Sequence, residues 1–336
     1  MKTTYRLLAC LLLILFCSCE KIVEFDPGEV EPHVVMISRP VTDSLVSVHM
    51  SYSRFFLDGH TPSAVSNAQI NMTVNGVPVS VSNEGDGEYL LNVRPQPGDS
   101  LDIKATVPGY DRTLHASTVV PPRPVIQLVD YFIDTTSNYD YGMVYYRLRF
   151  KVIDPSHNSY YGIGLDAADV GMHFYDSTNY YTHYDSVWWD TTNWVSQWFT
   201  IDDPIVNNSS DADDLFDFSG DTYGDETLFS TDGFTNGEHM FTIDFETYQS
   251  YSGMMLNYRK RPVRLVLRRL SPELYRYTVT AVTVSTFNQL FSEPVQIICN
   301  VDGGIGIFGA SSCEVKRLPV PRYNHFHQDS ESNWKK

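Results

Sequence analysis

The sequence predicts a mainly β protein: an N-terminal immunoglobulin-like β-sandwich at 33–120, then a second β-rich domain at 125–322 with one helix in its C-terminal half. Three observations predict it. Apolar and polar residues alternate at period two through most of the chain, turn residues separate the alternating runs, and one helix-start signal, Ser271-Pro272-Glu273, stands late in the sequence. The 336 residues suffice for two ordinary domains.

The first eighteen residues read as an export signal. Lys2 and Arg6 precede an apolar run from Leu7 to Phe16 that is too short for a permanent membrane span. The run ends Phe16-Cys17-Ser18-Cys19, with a small residue before Cys19, as a lipoprotein signal peptidase requires before cleaving at a diacylated thiol. Bulky Phe16 makes Cys17 the poorer site. Cys19 is therefore the expected lipid anchor; two or more acyl chains of the palmitate type hold a protein stably on a membrane where one does not. An ordinary cleaved signal without lipid is the alternative. Residues 19–32, rich in glutamate, form an acidic tether.

Formal net charge is −17, and the signal carries away two cations and no acid. A surface this acidic excludes nucleic acid as a partner and repels anionic headgroups, so membrane attachment falls to the lipid. Of the five cysteines, Cys10 and Cys17 leave with the signal and Cys19 is acylated, leaving Cys299 and Cys313. In an oxidising compartment these two either pair or remain thiols on neighbouring strands.

Between 33 and 120, Val46, Val48, Met50 and Tyr52 alternate with polar residues, as do Ile70, Met72 and Val74, and Leu101, Ile103, Ala105 and Val107. Asn75-Gly76, Glu84-Gly85-Asp86-Gly87 and Pro97-Gly98-Asp99 are turns between them. Some seven short strands fit a sandwich expected to fold alone. Val119-Val120-Pro121-Pro122-Arg123-Pro124 stiffens the chain and marks the boundary. Beyond it, Tyr146, Leu148, Phe150 and Val152 form a strand stopped by Asp154-Pro155, and His239–Phe245 and Val263–Leu270 repeat the pattern. Residues 176–236 read as extended loops or hairpins. The helix after Ser271 places Leu274, Tyr277, Ala281 and Val284 on one face. Residues 323–336 form a polar tail, expected to be mobile.

Most chemical signatures fail on spacing. Gly304-Ile305-Gly306-Ile307-Phe308-Gly309 spells G-x-G-x-x-G, but no helical pattern follows to face a pyrophosphate, so the glycines serve close packing of two β segments. Asp211, Asp213, Asp214, Asp217, Asp221 and Asp225 lack the alternation and glycine of a calcium loop and read as a solvated acidic loop. The ten histidines include no H-E-x-x-H. No nucleophile motif stands out, so no catalytic residue, metal or cofactor is expected; two distant carboxylates of a hydrolase would leave no motif. The binding candidates are aromatic: Tyr180, Tyr181, Tyr184, Trp188, Trp189, Trp194 and Trp198 lie among Asp, Ser, Thr and Asn, a composition that suits protein interfaces and sugar platforms. The other reading is that these rings pack a hairpin onto the second domain.

The C-terminal third carries a resemblance. The run from Leu267 through Ser271-Pro272-Glu273-Leu274-Tyr275-Arg276-Tyr277, then Phe291-Ser292-Glu293-Pro294-Val295, then Cys299-Asn300-Val301-Asp302-Gly303-Gly304-Ile305-Gly306-Ile307-Phe308-Gly309-Ala310 resembles an uncharacterised family of Bacteroidota lipoproteins, a domain of unknown function often encoded beside TonB-dependent outer-membrane receptors. Phe150–Pro155 and Leu228–Gly237 are similar to its other blocks. The resemblance implies an outer-membrane location, on the periplasmic or cell-surface face, and a non-catalytic accessory role in receptor-linked uptake. A glycan- or peptide-binding surface lipoprotein is the second expectation and a hydrolase the third. Cys299 departs from the pattern, which makes any pairing with Cys313 particular to this chain.

Overall fold

Alternation along eight short strands builds the first sandwich of this protein, known from a computed structural model that describes residues 31–54, 61–134, 143–176, 183–207, 227–248, 261–286 and 296–323. The signal, Cys19, the tether as far as residue 30, Tyr180, Tyr181, Asp211 to Asp225 and the tail beyond 323 lie outside the described residues. The strands are β1 (Val34–Ser38), β2 (Val46–Tyr52), β3 (Gln69–Val74), β4 (Val77–Val79), β5 (Val81–Gly85), β6 (Glu88–Leu91), β7 (Ser100–Thr106) and β8 (Leu114–Val119). One sheet contains β1-β2-β6-β5 and the other β4-β3-β7-β8. Val46, Val48 and Met50 from the first and Met72, Leu101, Ile103 and Ala105 from the second meet in one buried core. Their outward neighbours are polar, so a one-residue slip would turn each strand's apolar set to water. Asn75 and Gly76, both at positive φ, close the β3–β4 hairpin.

The segment 33–120 does not supply every strand of this sandwich. A further strand, β17 (Ile305–Phe308), pairs parallel with the outer edge of β1. Val301, Phe308 and Ala310 enter the same core.

A second sandwich follows. Its first sheet runs β13 (Thr200–Ile201), β15 (Glu238–Tyr248), β10 (Met143–Ile153), β9 (Val125–Asp134), β19 (Arg322–Tyr323). The other runs β12 (His183–Ser196), β11 (Tyr160–Asp176), β16 (Val263–Leu270), β18 (Ser311–Arg317), with β14 (Thr227–Ser230) also on β11. Tyr146, Leu148, Phe150 and Val152 pack against Tyr161, Ile163, Leu165 and Ala167, with Phe229, Phe241, Leu265 and Leu267 filling the space between. Phe241 lies 5.7 Å from Phe150 and 4.8 Å from Phe229, centroid to centroid, which ties three strands through one ring.

After the single turn α1 (Pro204–Asn207) comes the expected helix, α2 (Pro272–Thr286). Proline costs nothing in its first turn, where the N–H has no helical partner. Its buried face is Leu274, Tyr277 and Ala281, packed with Leu270 of β16 and Ile307 of β17. Glu273 accepts a hydrogen bond from the Thr118 hydroxyl of β8 and so ties the first turn to the N-terminal sandwich. Among the described residues no helix is long and apolar enough to cross a membrane.

No disulfide joins Cys299 to Cys313. Cys299 adjoins Asn300, whose side chain is bonded to the backbone of Phe308 at the end of β17, whereas Cys313 lies in β18, on the sheet of the second sandwich.

Candidate functional site

The length of two strands creates the most prominent surface feature. β11 pairs with β16 from Tyr160 to Ala167, and with β12 from Asp166 to Asp176. Beyond Ala168, β11 and β12 therefore continue as a two-stranded ribbon with no third strand among those described. The aromatic residues singled out in the sequence lie on β12 and just after it. Residues 191–193 are extra in β12, because Trp194 stands opposite Ala168 while Asp190 stands opposite Asp169. Asp190 holds this bulge by accepting from the Thr192 amide at 2.9 Å and hydroxyl at 2.6 Å. Those two bonds hold its carboxyl below the usual carboxylate range.

The bulge sorts the tryptophans. Trp189 and Trp194, opposite Val170 and Ala168, are half-buried and stacked by arginines. The guanidinium of Arg264 lies 4.4 Å from the Trp194 ring centre and that of Arg317 lies 5.7 Å from it, while Arg261 lies 5.4 Å from the Trp189 ring. Asp166 neutralises Arg264 across the strand at 2.7 Å, and the Trp194 indole N–H donates to the Thr191 carbonyl at 2.9 Å. These two rings are packing residues that cover the outer side of β11. Trp188 and Trp198 differ: 45% and 51% of their surfaces are exposed. The Trp188 indole lies across Gly171 on β11, where any Cβ would overlap the ring. Only glycine permits that close approach. Tyr184 is placed on β12 opposite Phe174 by its backbone.

The titratable groups most changed by the fold lie elsewhere. Asp154, 4% exposed, accepts from the Tyr161 hydroxyl at 2.6 Å and the Ser156 amide at 2.9 Å, and from the Ser156 hydroxyl. Arg269 approaches its other side at 3.3 Å. Burial works to raise the Asp154 pKa, but the bonds from Ser156 and Tyr161 outweigh it and hold the group below the ordinary range. Burial, then the bond to Asp154, pushes the Tyr161 phenol well up. Perturbed groups of this kind mark active sites when they face a cleft. Here the Asp154 carboxylate, the Tyr161 hydroxyl, the Ser156 and Ser159 hydroxyls and Nη2 of Arg269 bond to one another, which is a structural lock at the Asp154-Pro155 corner. His239 and Asp203 pair at 2.8 Å beside Phe234 and Phe241, which places aromatic rings rather than a nucleophile against the imidazole. Among the described residues no group of His, Cys, Asp and Glu is arranged to hold a metal ion.

Sequence reasoning missed Arg261, Arg264 and Arg317, the residues that decide which tryptophans are covered. The signal was present for one of them: Arg264 occupies an outward position in the alternating run Val263–Leu270.

Two β-sandwich cores with a short helical addition define a mainly β protein whose most distinctive surface is an aromatic ribbon. The chain belongs to the family described as a domain of unknown function, DUF4249, matched over residues 20–317. No curated protein matches it. Among solved structures it shows a slight likeness to BcpA, the major pilin subunit of Bacillus cereus, at 8% identity and a TM-score of 0.17, over 72% of this chain. The chain spans 64% of that pilin's length, and the likeness is too low to bear on fold or function.

Proposed function

We propose that this protein is a lipid-anchored outer-membrane lipoprotein and a non-catalytic binding component of a TonB-dependent receptor uptake system. The observation that carries the binding role is the pair Trp188 and Trp198, large rings about half exposed on and beside the β11–β12 ribbon. Burying an indole at an interface contributes more than most contacts, and tryptophan dominates the few residues on which affinity rests. The anchor is Cys19, and the receptor partner rests on the resemblance carried by the Ser271–Tyr277 and Asn300–Ala310 motifs. The experiment is recovery of the native lipoprotein from membranes under mild detergent. A receptor recovered in stoichiometric amount supports the reading, and a lipoprotein recovered alone contradicts it.

One observation favours a glycan-binding surface as the second reading. The Trp188 indole sits against Gly171 and is 45% exposed, and a half-exposed indole offers a surface on which a sugar ring can stack. Binding of neutral polysaccharide by the full chain, lost in Trp188→Ala, distinguishes that reading from a receptor contact.

A further inference from the structure

Residues 299–311, far along the chain, are held on the N-terminal sandwich in the manner of a bound peptide. Val35, Met36, Ile37 and Ser38 of β1 stand in parallel register with Ile305, Gly306, Ile307 and Phe308. The pairing continues past the strand: Ser311 N donates to Pro40 O at 2.8 Å, and Thr42 N donates to Ser311 O at 3.1 Å. On the other flank, His115 and Asp302 exchange both backbone hydrogen bonds, at 3.0 and 2.9 Å, and the Tyr110 hydroxyl donates to Gly303 O at 2.9 Å. The Asn300 side chain donates to Phe308 O at 2.8 Å and accepts from Phe308 N at 2.9 Å, so the segment enters already folded back on itself. Val301, Phe308 and Ala310 are its apolar anchors in the core.

The walls of this seat are backbone, and they read glycine. A Cβ on Gly306, which has φ +127°, would overlap Met36 O; one on Gly303, φ +75°, would overlap Thr113 O; one on Gly304 would lie 2.6 Å from Val34 O. Carbonyls in a sheet cannot retreat as a flexible side chain can. The seat therefore accepts small residues at three positions and large ones at Val301 and Phe308. That is the logic of peptide recognition by strand addition, in which main-chain bonds give affinity and alternate positions give specificity.

We propose that the outer edge of β1, with the Arg112–His115 backbone opposite, is a peptide-binding groove whose ligand is residues 299–311 of the same chain, and that the N-terminal sandwich forms only with this groove filled. An unfilled groove leaves a row of unpaired N–H and C=O groups on β1 and a core without Phe308, the condition in which a strand pairs with whatever extended chain it meets. Residues 33–120 are thus the acceptor half of a two-part sandwich, which is completed only once residues 299–311 have been made.

The test uses the full chain carrying Gly306→Val, which closes the groove to its own segment, and a fluorescent synthetic peptide of residues 299–311 with Cys299→Ser. The variant is expected to bind the peptide saturably and at least tenfold more tightly than the native chain, whose groove is occupied. The same peptide carrying Gly306→Val should bind neither. A folded variant that ignores the peptide, or equal binding by both chains, overturns the proposal. Should the variant fail to fold, hydrogen exchange on the native chain decides: amides of β1, β2 and β17 should become exchangeable in one cooperative step. Exchange of β17 while β1 and β2 stay protected overturns it.

Discussion

Asp154→Asn keeps the shape of a buried side chain and removes its charge, leaving the guanidinium of Arg269 3.3 Å away without its counter-ion. Breaking a buried pair by removing one partner costs about 3–5 kcal/mol. Arg269 keeps two neutral acceptors, Ser156 Oγ at 2.9 Å and Ser159 Oγ at 2.7 Å, which places the loss at the lower end, about 3 kcal/mol. For a chain of this size that corresponds to about 4 °C in Tm. Differential scanning calorimetry of the two proteins at neutral pH measures it. The effect also has a pH signature. Because the folded-state pKa of Asp154 lies below the ordinary value of 3.8, its stabilisation is present in full above that value and is lost as the pH falls through the folded-state value. The gap in melting temperature should therefore hold constant from neutral pH down to about pH 5 and close under stronger acid. A loss under about 1 kcal/mol at neutral pH, or a gap that widens in acid, refutes the argument that a charged Asp154 locks this corner.

Two further outcomes follow from the anchor and the packing. If acyl chains on Cys19 are the attachment, as the proposed function has it, Cys19→Ala should move the protein from the membrane to the soluble fraction; fractionation and immunoblotting check this, and unchanged retention contradicts it. Leu274→Ala should destabilise by about 2–5 kcal/mol in chemical unfolding, since Leu274 is 4% exposed and would leave a cavity where α2 meets β16 and β17.

What the sequence made legible was local. Alternation along Val46–Tyr52, Leu101–Val107 and Tyr146–Val152 assigns strands and their buried faces because a side chain's direction in a strand is fixed by parity alone. Asn75-Gly76 and Ser271-Pro272 worked for the same reason: each carries its own conformational preference. Pairings between distant segments were not legible. Nothing in Val34–Ser38 says that its partner is Ile305–Phe308, since backbone hydrogen bonds carry no residue code. In the glycine motif at 304–309, Gly304 and Gly306 serve close packing of β segments, against the carbonyls of Val34 and Met36, whereas Gly309 packs on the helix at Leu274, a partner that no spacing announces. The candidate site was half legible. The aromatic cluster announced itself by composition, whereas its division into covered and exposed rings depends on the bulge at 191–193 and on arginines more than sixty residues away, Arg261, Arg264 and Arg317.

The division of the tryptophans gives the most direct measurement of the proposed function: single alanine substitutions at Trp188, Trp189, Trp194 and Trp198, each read by thermal unfolding and by recovery of receptor with the native lipoprotein. Trp189→Ala and Trp194→Ala should lower the melting temperature, since their rings pack under arginines. Trp188→Ala and Trp198→Ala should leave melting unchanged and weaken receptor recovery by about thirtyfold each, the equivalent of about 2 kcal/mol for an aromatic anchor. Full recovery of receptor by both exposed-ring variants, with their melting unchanged, would contradict the account.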